Sequence, residues 1–377
     1  MEPSSDALSL RQLIAEAVPA ALIDGLTGTS AYLVGGALRD ALDGRQPAEV
    51  DVAVEGELGP ILDRLGLEAC SHERFGTASL QIGGRQVDLA RTRRESYSRP
   101  GALPDVAPAP IRTDLARRDF TVNAMAVPLQ GEPELLDPYD GFVDLGARVL
   151  RVIHPGSFRD DPTRALRAAR YVVRLDLALE PETEQLLLQT DLSGVSRDRI
   201  DANLLRLAEE AEAVRGFELL DRWRLLELGG ERLALLRSVA ELLRIEPWAG
   251  LLPRARGLLD AALAEPERLE TARSLAALDG AQPASALFRA AEGKDDGLLL
   301  LARALGAGWL DQHVSEWRRI RLRIDGSNLI AAGVGEGPEI GLGLRAALAA
   351  RIDGRVDADP EAELEAALAA IRAAGGI

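Results

Sequence analysis

The feature that most constrains the fold is a change of hydrophobic pattern near residue 159. Before it, apolar runs of strand type lie at 31–34, 50–54, 78–82 and 86–90. Gly83-Gly84 predicts a hairpin between the last two, and helices are predicted at 8–24, 37–42 and 58–67. After it, the apolar residues follow the helical period at 162–175, 182–189, 199–213, 216–228 and beyond. The pattern predicts an α+β fold, with a mixed sheet and helices first and an all-helical remainder.

Composition excludes several classes of protein. With 47% hydrophobic and 28% charged residues, the 377-residue chain is expected to form two to four globular domains. No apolar stretch approaches the ~18–20 residues of a membrane-spanning helix, and no basic segment precedes an apolar run at the N-terminus. We therefore expect no membrane association and no secretory signal. The single cysteine, Cys70, allows neither an internal disulfide nor a Cys-rich zinc site, so a cytoplasmic location is expected.

The charge distribution bears on possible partners. The net charge of −16 argues against a protein that coats nucleic acid through bulk charge. The segment 85–174 nevertheless holds 15 arginines against 12 acidic residues. A locally basic stretch is compatible with a specific nucleotide or nucleic-acid site, although arginines also commonly cover the surface of a helix.

A strand, a pair of glycines and a helix follow one another at 31–42. Gly35 and Gly36 would let the backbone approach a phosphate closely, with the helix N–H groups directed at the anion. Arg39, one turn into the helix, could reach the same phosphate. An ordinary tight turn explains such a glycine pair equally well.

Three carboxylates occur at matching positions of two predicted strands. Glu49 and Asp51 project to one face because alternate strand residues do so, and Asp88 has the same phase on a later strand. Carboxylates this close repel one another unless a cation lies between them, and hard oxygen ligands suit Mg²⁺. The alternative is three solvated side chains.

Two further segments place polar residues in apolar surroundings. Residues 117–126 run Arg-Arg-Asp-Phe-Thr-Val-Asn-Ala-Met-Ala, and polar groups in such a setting need partners. In Asp160-Asp161-Pro162-Thr163-Arg164, Pro162 predicts a helix start with Asp161 as its N-cap. Asp161 and Arg164 could read the edge of a base together, or they could form a plain i, i+3 ion pair.

Taken in order, these motifs resemble the class II tRNA nucleotidyltransferase and bacterial poly(A) polymerase family. The resemblance covers most of the chain and runs through residues 33–40, 49–51, 114–126, 137–141, 160–171, 196–200 and, more weakly, 324–341. It implies a polymerase-β-like nucleotidyltransferase head followed by an all-helical neck, body and tail. The corresponding boundaries are 1–150 for the head, 151–215 for the neck, 216–310 for the body and 311–377 for an RNA-binding tail.

The resemblance also implies an activity and roles for individual residues. The family adds nucleotides to an RNA 3′ end without a nucleic-acid template, here C and/or A from CTP and ATP to the 3′ end of tRNA, and no obligate protein partner is expected. Two Mg²⁺ ions would be held by the catalytic trio Glu49, Asp51 and Asp88, for a two-metal phosphoryl transfer that releases pyrophosphate. The predicted nucleotide-binding residues are Gly35, Gly36, Arg39, Arg118, Asp119, Asn123, Asp161, Arg164, Arg167 and Arg170.

Departures from the family pattern leave alternatives open. Glu49 stands where aspartate is usual, which raises the alternative of a catalytically silent RNA-binding relative. The segment Glu73-Arg74-Phe75-Gly76 matches poorly the string typical of bacterial poly(A) polymerases, and the acidic C-terminal segment lacks their basic extension. A poly(A) polymerase of the same superfamily is the second alternative, and both observations favour a tRNA nucleotidyltransferase over it. Complete CCA addition, CC addition and A addition stay unresolved. His72, His154 and His313 are too scattered for a His-Asp phosphohydrolase site.

Overall fold

The computed structural model describes residues 5–66, 70–72, 76–99, 101–102, 104–278 and 280–375. They form two compact units, which meet in the sequence between Glu227 and Leu228. The predicted boundaries at 150, 215 and 310 stay predictions. The side chain of His72 and the segment 73–75 lie outside what the structure describes.

The described residues of the first unit are built on a six-stranded mixed sheet. Its strands are β1 (Ser30–Val34), β2 (Glu49–Glu55), β3 (Cys70–His72), β4 (Thr77–Ile82), β5 (Arg85–Arg91) and β8 (Ala126–Pro128). They lie side by side in the order β3-β4-β5-β2-β1-β8. β2 and β5 are parallel, and the other neighbours are antiparallel. Leu33, Val50 and Val87 in the central strands are fully buried, so apolar packing fixes the register of the sheet. The predicted hairpin at Gly83-Gly84 is confirmed.

Two small ribbons and eleven helices complete the part of this unit that the structure describes. The ribbons pair β6 (Arg93–Ser96) with β7 (Asp105–Pro108) and β9 (Val149–Leu150) with β10 (Ala178–Leu179). The helices are α1 (Ser5–Ala17), α2 (Ala20–Gly25), α3 (Gly35–Leu42), α4 (Gly59–Leu65), α5 (Ile111–Ala116), α6 (Gly141–Gly146), α7 (Ser157–Asp160), α8 (Thr163–Leu175), α9 (Pro181–Leu187), α10 (Arg197–Ala208) and α11 (Ala213–Arg222). A 3₁₀ turn spans Thr121–Asn123.

Two sequence predictions need correction. The helix expected at 8–24 is interrupted at Pro19, because proline cannot donate the backbone hydrogen bond that a helix interior requires. The helix expected at 199–213 ends at Ala208. The chain turns there and packs α11 against α10 so tightly that a Cβ on Gly216 would collide with Leu207. The predicted helical remainder is confirmed, and among the described residues after 159 the strand β10, which pairs with β9, is the exception.

The second unit is helical. Its helices are α12 (Gly229–Leu242), α13 (Arg254–Leu263), α14 (Pro266–Ala276), α15 (Ala284–Ala291), α16 (Asp296–Ala304), α17 (Leu310–Ser315), α18 (Gly326–Ala331), α19 (Pro338–Ile352) and α20 (Pro360–Ala373). Trp248 is the largest fully buried side chain, and its indole N–H donates a hydrogen bond to Asp311 at 2.7 Å. The polar group of this core residue therefore has a partner. Among all described residues, no helix combines the length and the apolar character needed to cross a membrane.

Candidate active site

The three predicted carboxylates meet at one edge of the sheet. The parallel register of β2 and β5 places Asp51 directly opposite Asp88, and Glu49 lies two residues before Asp51 on the same side of β2. One carboxylate oxygen from each of the three lies within 4.8 Å of the other two. Three negative charges at this spacing repel one another strongly when no cation is bound. The arrangement therefore forms a candidate site for a hard divalent cation.

Two of these carboxylates are oriented by neighbouring groups. Asp51 Oδ2 accepts a hydrogen bond from the backbone N–H of Ala37 at 3.1 Å, and Asp88 Oδ1 accepts one from Ser79 Oγ at 2.5 Å. Burial raises the pKa of the Asp51 carboxyl and the nearby Asp88 charge adds to this, while the Ala37 N–H and Arg118 act in the opposite direction. The sequence analysis missed Ser79. Its position opposite Asp88 in the predicted hairpin was the available signal.

The glycine turn lies directly beside the acidic trio. Gly35 has a φ of +61°, which favours glycine, and a Cβ there would lie 3.1 Å from Arg118 Nη1 and 3.3 Å from Asp51 Oδ2. A Cβ on Gly36 would also lie 3.3 Å from Asp51 Oδ2. The two glycines thus keep open a narrow space between the start of α3, a carboxylate and an arginine. A phosphate in that space would meet backbone N–H groups and a guanidinium.

Arg39, which was expected to reach a phosphate beside the glycine turn, is bound to other protein groups in this structure. It lines the same cavity, but its side chain is buried and its guanidinium donates to Asn123 Oδ1 at 2.5 Å and to Asp40 Oδ1 at 2.6 Å. Its guanidinium carbon also lies 5.4 Å from the ring centroid of Tyr171. In this structure Arg39 therefore fixes Asn123, and its role toward a phosphate stays a prediction.

The segment that follows α5 forms a buried polar network. Asp119 accepts from Asn123 Nδ2 at 2.9 Å and from Arg167 Nε at 2.8 Å. Although burial opposes ionisation, the Arg167 charge and the Asn123 hydrogen bond lower the pKa of Asp119 to about 2. Arg118 donates to the backbone oxygen of Asn123 at 3.1 Å. The network therefore fixes three of the predicted nucleotide-binding residues, Arg118, Asp119 and Asn123.

Asp114 is a buried residue that the sequence analysis did not assign to the site. It accepts from Arg117 at 2.7 Å, from Arg118 at 3.0 Å and from the backbone N–H of Arg93 at 3.1 Å. The two arginine charges lower the pKa of Asp114 although burial raises it. Asp114 thus holds Arg118 beside the glycine turn. The sequence offered one signal, the four-residue spacing of Asp114 and Arg118, which suits an ion pair.

Asp161 and Arg164 line the cavity, but their side chains hydrogen-bond to other residues and not to each other. Arg164 is buried and donates to Ser157 Oγ at 2.7 Å and to the backbone oxygen of Arg117 at 2.6 Å. Asp161 Oδ1 accepts from the Thr163 backbone N–H at 3.0 Å and from Arg199 Nη2 at 2.8 Å. α8 thus begins one residue later than predicted, with the Asp161 side chain capping it. Arg199, which the analysis had not assigned to the site, orients Asp161.

One cavity of about 800 Å³ in the first unit connects these features. Every predicted site residue lines it, and the lining also includes Glu95, Tyr97, Asp114, Tyr171, Arg174 and Arg206. Within the wall, Arg170 donates to Glu210 at 2.7 Å. An acidic trio, a glycine turn at a helix start and a wall rich in arginine are the arrangement that metal-dependent phosphoryl transfer from a nucleotide requires, and together with the fold they indicate the nucleotidyltransferase class.

Comparison with known proteins narrows the nucleotidyltransferase class to one family. Residues 31–151 match the poly(A) polymerase head domain. The chain is 34% identical over 334 residues to the CC-adding tRNA nucleotidyltransferase of Deinococcus radiodurans, covering 84% of this chain and 83% of that protein. It is 42% identical over 207 residues to the A-adding tRNA nucleotidyltransferase of Aquifex aeolicus, covering 52% of this chain but only 25% of that longer protein.

A solved structure of the Thermotoga maritima CCA-adding enzyme in complex with tRNA superposes with a TM-score of 0.77 at 25% identity, covering 96% of this chain and 98% of that one. The chain therefore belongs to the class II tRNA nucleotidyltransferase family. The predicted family and fold class are confirmed.

Proposed function

We propose that this protein adds C and/or A residues from CTP and ATP to the 3′ end of tRNA, releasing pyrophosphate at each step. The observation that carries the proposal is the convergence of the acidic trio, the glycine turn and the predicted nucleotide-binding residues on one cavity. The relatives named for CC and A addition to tRNA support the choice of substrate.

The donor set fits Mg²⁺ as the resident ion. Glu49, Asp51 and Asp88 offer oxygen ligands within 4.8 Å of one another, and Mg²⁺ prefers such hard ligands over nitrogen or sulfur. When bound, the metal would acidify the RNA 3′-hydroxyl and stabilise charge on the transferring phosphoryl group. The longer side chain of Glu49 keeps the same carboxylate chemistry, and its oxygen reaches the other two, which argues against the silent relative.

The remaining residues of the cavity would bind and orient the substrates. The backbone at Gly35 and Gly36, together with Arg118, would hold the triphosphate through N–H donors. Asp161 and Arg164 would select the base by hydrogen bonds to its Watson–Crick edge, with Asp161 accepting and Arg164 donating. Arg167 and Arg170 are each paired with a carboxylate. They would therefore contribute mainly to the shape of the cavity wall and to the local electric field, and less as free positive charges that bind phosphate.

A 3′-extension assay tests this proposal. The protein and Mg²⁺ would receive tRNA that ends before CCA, after C or after CC, with CTP, ATP or both, beside an unrelated RNA. We expect one, two or three added residues on tRNA, and their number assigns A, CC or complete CCA addition. A long ladder of A on the unrelated RNA would identify a poly(A) polymerase instead. Binding of tRNA without any product would favour the silent relative.

A further inference from the structure

We propose that the ring of Tyr97 is the stacking surface for the base of the incoming nucleotide. This inference rests on the proposed function for the identity of the ligand, and it assigns a binding role to a residue outside the predicted nucleotide-binding set. Tyr97 follows β6 directly and lines the cavity. A flat apolar surface is what a base needs in a cavity whose other walls are mostly charged.

The Tyr97 ring is tethered at its hydroxyl end. Tyr97 Oη donates to Glu95 Oε2 at 2.8 Å. The other oxygen, Glu95 Oε1, accepts from Arg117 at 2.8 Å and from Arg93 at 2.9 Å. The Glu95 side chain is only 6% exposed, so this carboxylate is fixed by the two arginines and fixes the tyrosine in turn. Burial and the Glu95 charge raise the pKa of the Tyr97 hydroxyl, so it stays a donor at physiological pH.

The other aromatic ring among the described residues that line the cavity is already engaged. The ring of Tyr171 lies 5.4 Å from the guanidinium carbon of Arg39 and 5.3 Å from that of Arg167, and it packs edge-on against Phe120 at 5.7 Å. Within the described part of the chain, no guanidinium or aromatic ring packs in this way against Tyr97. Tyr97 is also only partly buried, so its ring can receive a planar ligand.

Tyr97 is close to the residues proposed to read the edge of the base. The charges of Arg164 and Asp161 both act on its hydroxyl. A base with its edge toward Asp161 and Arg164 would need support on its face, which hydrogen bonds to the edge cannot supply. Stacking on an aromatic side chain contributes through the face and tolerates any base, so Tyr97 would strengthen binding of cytosine and adenine alike.

Calorimetric titration of the full chain with CTP, ATP and inorganic tripolyphosphate tests the assignment. Replacing Tyr97→Leu should weaken CTP and ATP binding by about fivefold to 150-fold, the range expected for loss of one stacking contact. Affinity for tripolyphosphate, which has no base, should not change. Tyr97→Phe keeps the ring and should stay within about threefold of wild type. Phe142→Leu, at a half-exposed aromatic residue outside the cavity lining, is the matched control.

Equal losses for nucleotides and tripolyphosphate would show that Tyr97 only supports the structure of the cavity, and would overturn the proposal. Unchanged nucleotide affinity, or a loss confined to RNA binding, would overturn it as well. The extension assay separates the two inferences. If wild type extends tRNA but Tyr97→Leu binds nucleotides normally, the proposed function holds and the stacking role is wrong. If wild type does not extend tRNA but Tyr97→Leu loses nucleotide affinity, the stacking role holds and the proposed function is wrong.

Discussion

Replacing Asp88→Asn removes one charge from the acidic trio while preserving its shape. The asparagine oxygen can still accept from Ser79, so the main change is electrostatic. Two unit charges 4.8 Å apart repel by about 3.5 kcal/mol at an effective dielectric constant of 20. Because Asp88 is only partly buried, solvent screening reduces this figure, and we expect about 1–3 kcal/mol of relief. Without a divalent cation, the variant should therefore be more stable than wild type.

Addition of Mg²⁺ should reverse this order. A cation at one hundred times its dissociation constant stabilises the folded state by about 2.7 kcal/mol, and Asp88→Asn should lose most of that gain. For a unit of this size, each kcal/mol corresponds to roughly 2–4 °C in Tm. Thermal unfolding with EDTA and with Mg²⁺ measures both effects, and Asp105→Asn, at an exposed carboxylate outside the trio, is the control. If Asp88→Asn were less stable in EDTA and still gained the full Mg²⁺ shift, the trio would not be a cation site.

Three further predictions follow from the same contacts. Gly35→Ala should lower nucleotide addition at least tenfold because its Cβ would enter the space beside Arg118. Gly28 also has a positive φ but has open space around it, so Gly28→Ala should cost stability but little activity. Steady-state kinetics with CTP compares the two variants. Asp119 has its pKa lowered from 3.8 to about 2, so the stability that it contributes is present above pH 4 and is lost as the pH falls toward 2. Asp119→Asn should flatten that part of the acid-unfolding curve and, from the size of the pKa shift, cost about 2–3 kcal/mol at pH 7. Equal acid midpoints for the two proteins would refute this. Arg199→Leu should alter the ratio of CTP to ATP use because it frees the Asp161 side chain. Arg197→Leu, on the exposed face of α10, should leave the ratio unchanged. Equal ratios in both variants would contradict the role of Arg199 in orienting Asp161.

The placement of the trio could be predicted because it depends on local rules. Alternation along β2 puts Glu49 and Asp51 on one side, and apolar patterning fixes which side faces the core. The parallel pairing that brings Asp88 opposite Asp51 is a long-range contact. Sequence reasoning reached it only by matching the phase of the two strands. The glycine turn was similarly predictable, since the sequence itself places it between a strand and a helix.

The partners of the charged residues could not be predicted. Asp161 and Arg164 are three apart on the chain, yet the structure directs them to Arg199 and Ser157 instead of to each other. Such choices depend on how α8 and α10 pack, and local sequence patterns do not specify helix packing. The same holds for Arg39, whose helical position suggested a phosphate ligand but whose burial joins it to Asn123. Arginine-rich walls offer many alternative pairings of similar energy, and tertiary packing selects among them.

The most direct test of the central claim is the intact mass of one tRNA before and after reaction. A tRNA that ends before CCA would be incubated with Mg²⁺, CTP and ATP and with either wild-type protein or Asp51→Asn. The account predicts that wild type increases the mass by whole nucleotide monophosphates of C or A, with an equal number of pyrophosphates released, and that Asp51→Asn adds none. A tRNA of unchanged mass with wild type, or equal extension by Asp51→Asn, would contradict it.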